Sequence, residues 1–174
     1  MENVVAAIVI VILLLFAILT LTGAVFDAQA TTAAAWEEAV TRMNEQTHTA
    51  LSALAATSAD GMTIQWVIEN SGSIPLADYD RWDVLLHYYD TLGAYHVNYV
   101  QYSALLTADH WTVTQLLVGS GTPEIYNRGI LDPSERAQID IPLVFAIQPD
   151  TVVHLTAVPA NGAAISTQFV YMEG

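Results

Sequence analysis

MENVVAAIVIVILLLFAILTLTGAVFDAQA, residues 1–30, decides the fold: it is a secretion signal, a membrane anchor, or a helix that the mature protein keeps. No residue from Asn3 to Phe26 is charged, and Val4 to Leu19 is an unbroken run of sixteen apolar side chains. As a helix this stretch reaches roughly 36 Å at about 1.5 Å per residue, enough to cross a bilayer. Ala28-Gln29-Ala30 has the small-x-small pattern that signal peptidases cut. Against a signal stands the start of the chain, which carries Glu2 and no positive charge. A simple anchor lacks its usual flank, because orientation is set by lysine and arginine on the cytoplasmic side and the first arginine is Arg42.

The segment that follows extends the helix. From Ala28 to Asp60 there is no proline or glycine, and Trp36, Val40, Met43, Leu51 and Leu54 recur at helical spacing with Thr47 filling the gap. Glu38 and Arg42 form an i,i+4 pair in the favourable order. One helix is therefore expected over residues 3–58, roughly 80 Å long, apolar all round in its first half and amphipathic in its second. Trp36, Val40 and Met43 are the expected stripe for docking on a globular domain. Two domains follow: a helix, 1–58, and a β domain, 62–174.

Ala59-Asp60-Gly61 is a turn signal, and beyond it the apolar period changes from 3.6 to 2. MTIQWVIEN sets Ile64, Trp66 and Ile68 against Thr63, Gln65 and Glu69, and RWDVLLHYYD sets Trp82, Val84, Leu86 and Tyr88 on one side. AYHVNYVQY, HWTVTQLLV, QIDIPLVFAI, TVVHLTAV and ISTQFVYM complete seven expected strands, separated by good turn chemistry such as Asn70-Ser71-Gly72-Ser73 and Asn161-Gly162. This spacing predicts an α+β chain: a long hydrophobic helix and an immunoglobulin-like antiparallel β-sandwich of about seven strands. Pro142 inside a strand predicts an edge or a bulge.

Charge narrows the function. Eighteen acids against four arginines and no lysine give a formal charge of -14, which excludes binding to a phosphate backbone and hence nucleic acid. Residues 60–174 hold thirteen of the acids and three of the arginines, so the acidity sits on the β domain. There is no cysteine, hence no disulfide and no thiolate site. His48, His87, His96, His110 and His154 lack the spacing that metal sites use, and His87 and His154 read as sheet-face residues. Asp78, Asp80 and Asp83 in LADYDRWD are the weak calcium candidates. Their loop lacks the glycine and terminal glutamate of an EF-hand and holds Arg81, so a solvated loop is the preferred reading. No nucleophile motif or phosphate-binding glycine loop is present, and neither catalysis nor a cofactor is expected.

The order of parts, with the patches WVIENSGSIPLADYDRWDVLLHY and LTAVPANGAAISTQF, resembles the archaellin superfamily, the type IV pilin-like filament proteins of the archaeal flagellum and their minor relatives. The resemblance implies a structural subunit of an extracellular helical filament, a homo-oligomer of many copies that serves motility. It implies a basic leader before Met1 removed by a prepilin-type peptidase, insertion in the membrane before assembly, and an assembly platform that packs residues 3–26 into a central bundle. Subunit packing is then expected at Glu2, Val5, Ile8, Ile12, Leu15, Phe16, Leu19 and Phe26, with Glu2 meeting the amino terminus of a neighbour to set register. The helix dipole alone also favours Glu2 where it stands. Gly23 reads either as a site for a bend or a close helix approach or as an ordinary glycine in an unkinked helix. The chain departs from these proteins in having no Asn-x-Ser/Thr acceptor. The alternative is a membrane-anchored minor subunit or binding module whose β-sandwich contacts an envelope component.

Overall fold

The computed structural model describes residues 2–119, 121–127 and 129–173, with side chains at the amino end from residue 8 onward. Helix α1, Glu2–His48, is continuous over 47 residues, about 70 Å at 1.5 Å per residue. Alanine-rich composition supports it, as does the Glu38–Arg42 ion pair at 2.8 Å. The chain divides into two compact units, Met1–Met43 and Asn44–Gly174.

The helix stops at His48, short of the expected residue 58, and Leu51–Ser58 forms strand β1. This corrects the expected boundary between helix and β domain. LSALAATS has helical composition, but it is recruited as a strand because the turn after it is a hairpin. Gly61 takes φ +69°, the Asp60 carboxylate accepts the N–H groups of Met62 and Thr63 at 2.9 and 2.8 Å, and the Ser58 hydroxyl donates to the Thr63 carbonyl at 2.8 Å. β1 then pairs antiparallel with β2, Thr63–Asn70. Tertiary pairing overrides local propensity here.

The remaining strands are β3 (Asp83–Tyr89), β4 (Tyr95–Tyr102), β5 (His110–Val118), β6 (Thr122–Pro123), β7 (Arg136–Pro142), β8 (Val152–Val158) and β9 (Ile165–Val170). All seven expected strands are among them; β1 and the two-residue β6 are additional. They form one nine-stranded sheet in the order β1-β2-β7-β5-β4-β3-β8-β9, with β6 on β5. The two runs β1-β2-β7-β5 and β4-β3-β8-β9 have the A-B-E-D and C′-C-F-G orders of an immunoglobulin-like sandwich. The layers are joined by a short parallel pairing of β4 with β5 at Gln101–His110 and Tyr102–Trp111, and β1 approaches β9 on the other side, so the sheet is nearly a closed barrel.

One core fills it. Ile64, Trp66 and Ile68 of β2, Val84, Leu86 and Tyr88 of β3, and Val153, Leu155 and Ala157 of β8 are fully buried, as the period-2 pattern requires. At the loose β4–β5 junction the ladder is replaced by aromatic packing. Tyr102 meets Trp111 edge-on at 5.0 Å, and Tyr79 and Trp82 close the cluster at 5.4 Å from each other. Pro142 is neither on an edge nor in a bulge. It is the last residue of the interior strand β7, opposite Thr63, where a missing N–H ends the ladder harmlessly. The bulge lies on the neighbour β5, between Val113 and Gln115.

Candidate functional site

The first candidate is the surface of α1. The expected packing residues Ile8, Ile12, Leu15, Phe16, Leu19 and Phe26 stand between 54% and 70% exposed. Val9, Ile10, Leu13, Leu14, Ile18 and Leu21 are exposed to a similar degree, so the apolar surface runs around the whole helix rather than along one seam. The side chains of Glu2 and Val5 lie outside the described residues. Each large apolar side chain is worth about 1.5–3 kcal/mol on burial, so this surface demands lipid or protein around it.

The helix also satisfies its own polar groups. The hydroxyls of Thr20, Thr22, Thr31 and Thr32 donate to carbonyls one turn back, on Phe16, Ile18, Asp27 and Ala28, at 2.7–3.0 Å. These four hydroxyls therefore need no partner outside the helix. Farther along, Trp36, Val40 and Met43 are exposed at 73%, 52% and 69%. A Cβ built on Gly23 meets nothing within 4 Å, so nothing inside the chain requires glycine there.

In the β domain the expected acid cluster does not come together. Asp78 lies 4.0 Å from Arg81, and Asp83 accepts a hydrogen bond from the Tyr99 hydroxyl at 2.7 Å. Among the described residues the acids that do converge are Glu124, Asp132 and Glu135, with carboxylate oxygens within 4.8 Å of one another. Glu135 is buried and accepts the Asp132 N–H at 2.9 Å. Burial, and then the Glu124 and Asp132 carboxylates, push its pKa above the ordinary 4.5. Sequence reading missed this group because its members stand on separate turns with no motif to join them.

The histidines are dispersed. His87 lies beside the Tyr95 hydroxyl at 3.1 Å, and His154 is its cross-strand partner on β8. His96 stacks between Tyr88 and Phe145, at 4.9 and 5.2 Å between ring centroids, with Nε2 2.8 Å from the Asp90 carboxylate. Asp90 is buried and also accepts the N–H groups of Leu92 and Ala94, at 2.9 Å each. The His96 hydrogen bond first, then the Ala94 N–H, hold its pKa below the ordinary 3.8. Asp90 thus closes the β3–β4 hairpin.

Asn70 organises the turn that the sequence singled out. Fully buried, it donates through its side-chain amide to the carbonyls of Ile74 and Leu131 at 2.8 and 2.9 Å and accepts the Gly72 N–H at 3.1 Å. The turn it holds then clamps the end of α1. Gly72 N–H donates to the Ala50 carbonyl and Ser73 N–H to the His48 carbonyl, both at 2.9 Å.

No family model matches the sequence, and no curated protein matches it. Solved structures do match the fold. The archaellum periplasmic stator protein FlaG from Sulfolobus acidocaldarius is similar with a TM-score of 0.52 and 21% identity, over 70% of this chain and 99% of that one. The archaeal flagellum of Methanospirillum hungatei strain JF1 is similar with a TM-score of 0.50 and 14% identity, over 97% of this chain and 93% of that one. Archaeal flagellin FlaB1 from Methanocaldococcus jannaschii is similar with a TM-score of 0.54 and 16% identity, over 72% of this chain and 91% of that one. At these identities the likeness is one of fold, and the fold is shared by archaellum proteins of two kinds, filament and stator.

Proposed function

We propose that this chain is a structural subunit of an extracellular archaellum-like helical filament, with a mechanical rather than a catalytic role. The observation that carries the reading is the all-round exposure of the apolar residues of α1, on a helix of 47 residues, where a bilayer needs about 20. The likeness to the Methanospirillum hungatei flagellum, which extends over 97% of this chain, supports it. Before assembly residues 3–26 lie in the membrane. An assembly platform then packs Ile8, Ile12, Leu15, Phe16, Leu19 and Phe26 against copies of the same helix, after a prepilin-type peptidase has removed a leader. Glu2 and Val5 sit in the same bundle, Glu2 setting register. Trp36, Val40 and Met43 become covered by β domains as the helices gather. The contacts repeat head-to-tail without closing.

The likeness to FlaG, which spans 70% of this chain, favours a second reading: a membrane-anchored minor or stator-type subunit whose β domain contacts an envelope component. Shearing cells and examining the released material by electron microscopy separates the two. Under the filament reading this chain is the bulk of a thin filament. Recovery only from solubilised membranes, with none in sheared filaments, would sink it in favour of the anchored subunit.

A further inference from the structure

Strand β4 ends its layer. It pairs with β3 from Tyr95 to Val100 and touches β5 at Gln101 and Tyr102 alone. Among the described residues no other backbone hydrogen bond reaches residues 95–100, so alternate N–H and C=O groups face outward unpaired. Sheets normally blunt such an edge with lysine, proline, an inward charge or a bulge. YHVNYVQY has no lysine, proline, glycine or acid, and its register with β3 runs without a shift. Tyr95, Val97 and Tyr99 stand 54%, 55% and 54% exposed on its outer face. The segment has high β-propensity and no formal charge with its histidine neutral, which is the composition of a strand that recruits another strand.

Its pattern also names the recruit. Tyr95-x-Val97-x-Tyr99 reads the same in both directions about Val97. We infer that β4 is a homotypic pairing edge, on which the β4 of a second copy adds antiparallel about a two-fold axis at Val97. In that register Val97 faces Val97, Tyr95 of each copy faces Tyr99 of the other, and His96 faces Asn98. Aromatic cross-strand pairs of this kind stabilise antiparallel ladders. Charge points to the same occupant. With a net charge of -14 on the chain, most approaches between copies are repulsive, and a basic partner is drawn to the acidic remainder of the domain. The strand itself carries no acid; its outer flank on β3 is Leu85, His87 and Tyr89, with the Asp83 carboxylate at one end held by the Tyr99 hydroxyl at 2.7 Å, so this edge is where two copies meet with least repulsion.

A two-fold pair closes on itself and does not repeat along a polar shaft. The pairing therefore goes beyond the filament reading and belongs to the chain while its helix is still in a membrane, where confinement to one surface raises the effective concentration. The chain has no cysteine, so Val97→Cys introduces a single thiol. In membranes holding the full chain, a short bifunctional maleimide should link this variant into a species of twice 18.9 kDa. Leu54→Cys on β1, in the other layer and 47% exposed, sets the level of random collision. Adding Tyr95→Lys and Tyr99→Lys to Val97→Cys places lysine opposite lysine and should abolish the link while the β-sheet circular dichroism persists. Cross-linking of Val97→Cys no higher than that of Leu54→Cys, or unchanged by the two lysines, overturns the pairing. Cross-linking that follows the expected pattern in cells that yield no filaments supports the pairing and counts against the filament reading alone.

Discussion

Gly72 stands so close to the junction of helix and strand that a Cβ on it would lie 2.5 Å from the backbone nitrogen of Ala50. The His48 carbonyl oxygen, at 2.6 Å, blocks the same direction, and neither atom belongs to a side chain that can swing away. Gly72→Ala must therefore push the turn off the junction. The expected loss is about 1–3 kcal/mol, the usual range for overpacking a well-packed site. Urea denaturation of the detergent-solubilised chain measures it, and an unchanged midpoint would show that the clamp yields freely.

Asn70→Leu keeps the volume and removes every side-chain hydrogen bond. The Ile74 carbonyl loses its side-chain partner, the Gly72 N–H keeps only the Ala50 carbonyl, at 2.9 Å, and the Leu131 carbonyl keeps only the Leu76 N–H, at 3.0 Å. A polar group stranded in this way costs about 1–3 kcal/mol, so a loss of about that size is expected. Asn70→Asp, nearly isosteric, turns both donations into repulsion with the carbonyls and should be no more stable. An Asp variant as stable as the parent, in the same denaturation experiment, contradicts this account.

Stability should fall at both ends of the pH range, for opposite reasons. Asp60 and Asp90 have pKa values lowered by hydrogen bonds, from the Met62 N–H first in one case and from His96 in the other. They contribute stability that is present above the ordinary 3.8 and is lost as pH falls through their lowered folded values. Glu135, raised by burial and by Glu124 and Asp132, favours the fold when protonated. Its contribution is full below 4.5 and disappears as pH rises through its raised folded value. Glu124→Gln removes one repelling carboxylate, so it should raise the melting temperature at pH 7 and flatten the decline on the alkaline side of 4.5. Melting curves across pH check it; a lower melting temperature at pH 7 would show that Glu124 is needed as an acceptor.

Gly23→Leu separates helix stability from assembly. With open space around this position in the chain, leucine should strengthen the helix by about 1 kcal/mol or slightly less, through propensity alone. In a bundle where neighbouring helices approach closely at Gly23, the same side chain is an obstruction. The expected outcome is unchanged membrane insertion with a reduced yield of sheared filament. Equal yields would place Gly23 away from any helix contact.

Much of the fold is legible in residue order, because period-2 alternation with turn residues at its breaks belongs to each strand separately. Ile64, Trp66, Ile68, Val84, Leu86 and Tyr88 are buried where alternation puts them. β1 is not legible, since Leu51–Ser58 is alanine-rich and becomes a strand only through its pairing with β2. Asp60-Gly61 marks a turn under either reading, and residue order does not say whether a helix or a strand precedes it. The candidate sites divide in the same way. The apolar helix surface is a local property and is visible in the first line of sequence. The Glu124, Asp132 and Glu135 group, the stack around His96 and the open edge of β4 arise from long-range packing, and nothing in the spacing of those residues announces them.

The route from α1 into β1 also determines how the chain responds to a pull on its helix. Tension along the helix reaches the β domain at Leu51, the open end of a hairpin that closes at Asp60 and Gly61. Strands pulled from an open end peel one pair at a time. Ahead of the first pair stand the bonds that Gly72 and Ser73 make to Ala50 and His48, together with those joining Asn161 to Thr49 and Gln46 to Gly162. Those few bonds, rather than the tryptophan-filled core, set the force at which the domain begins to come apart.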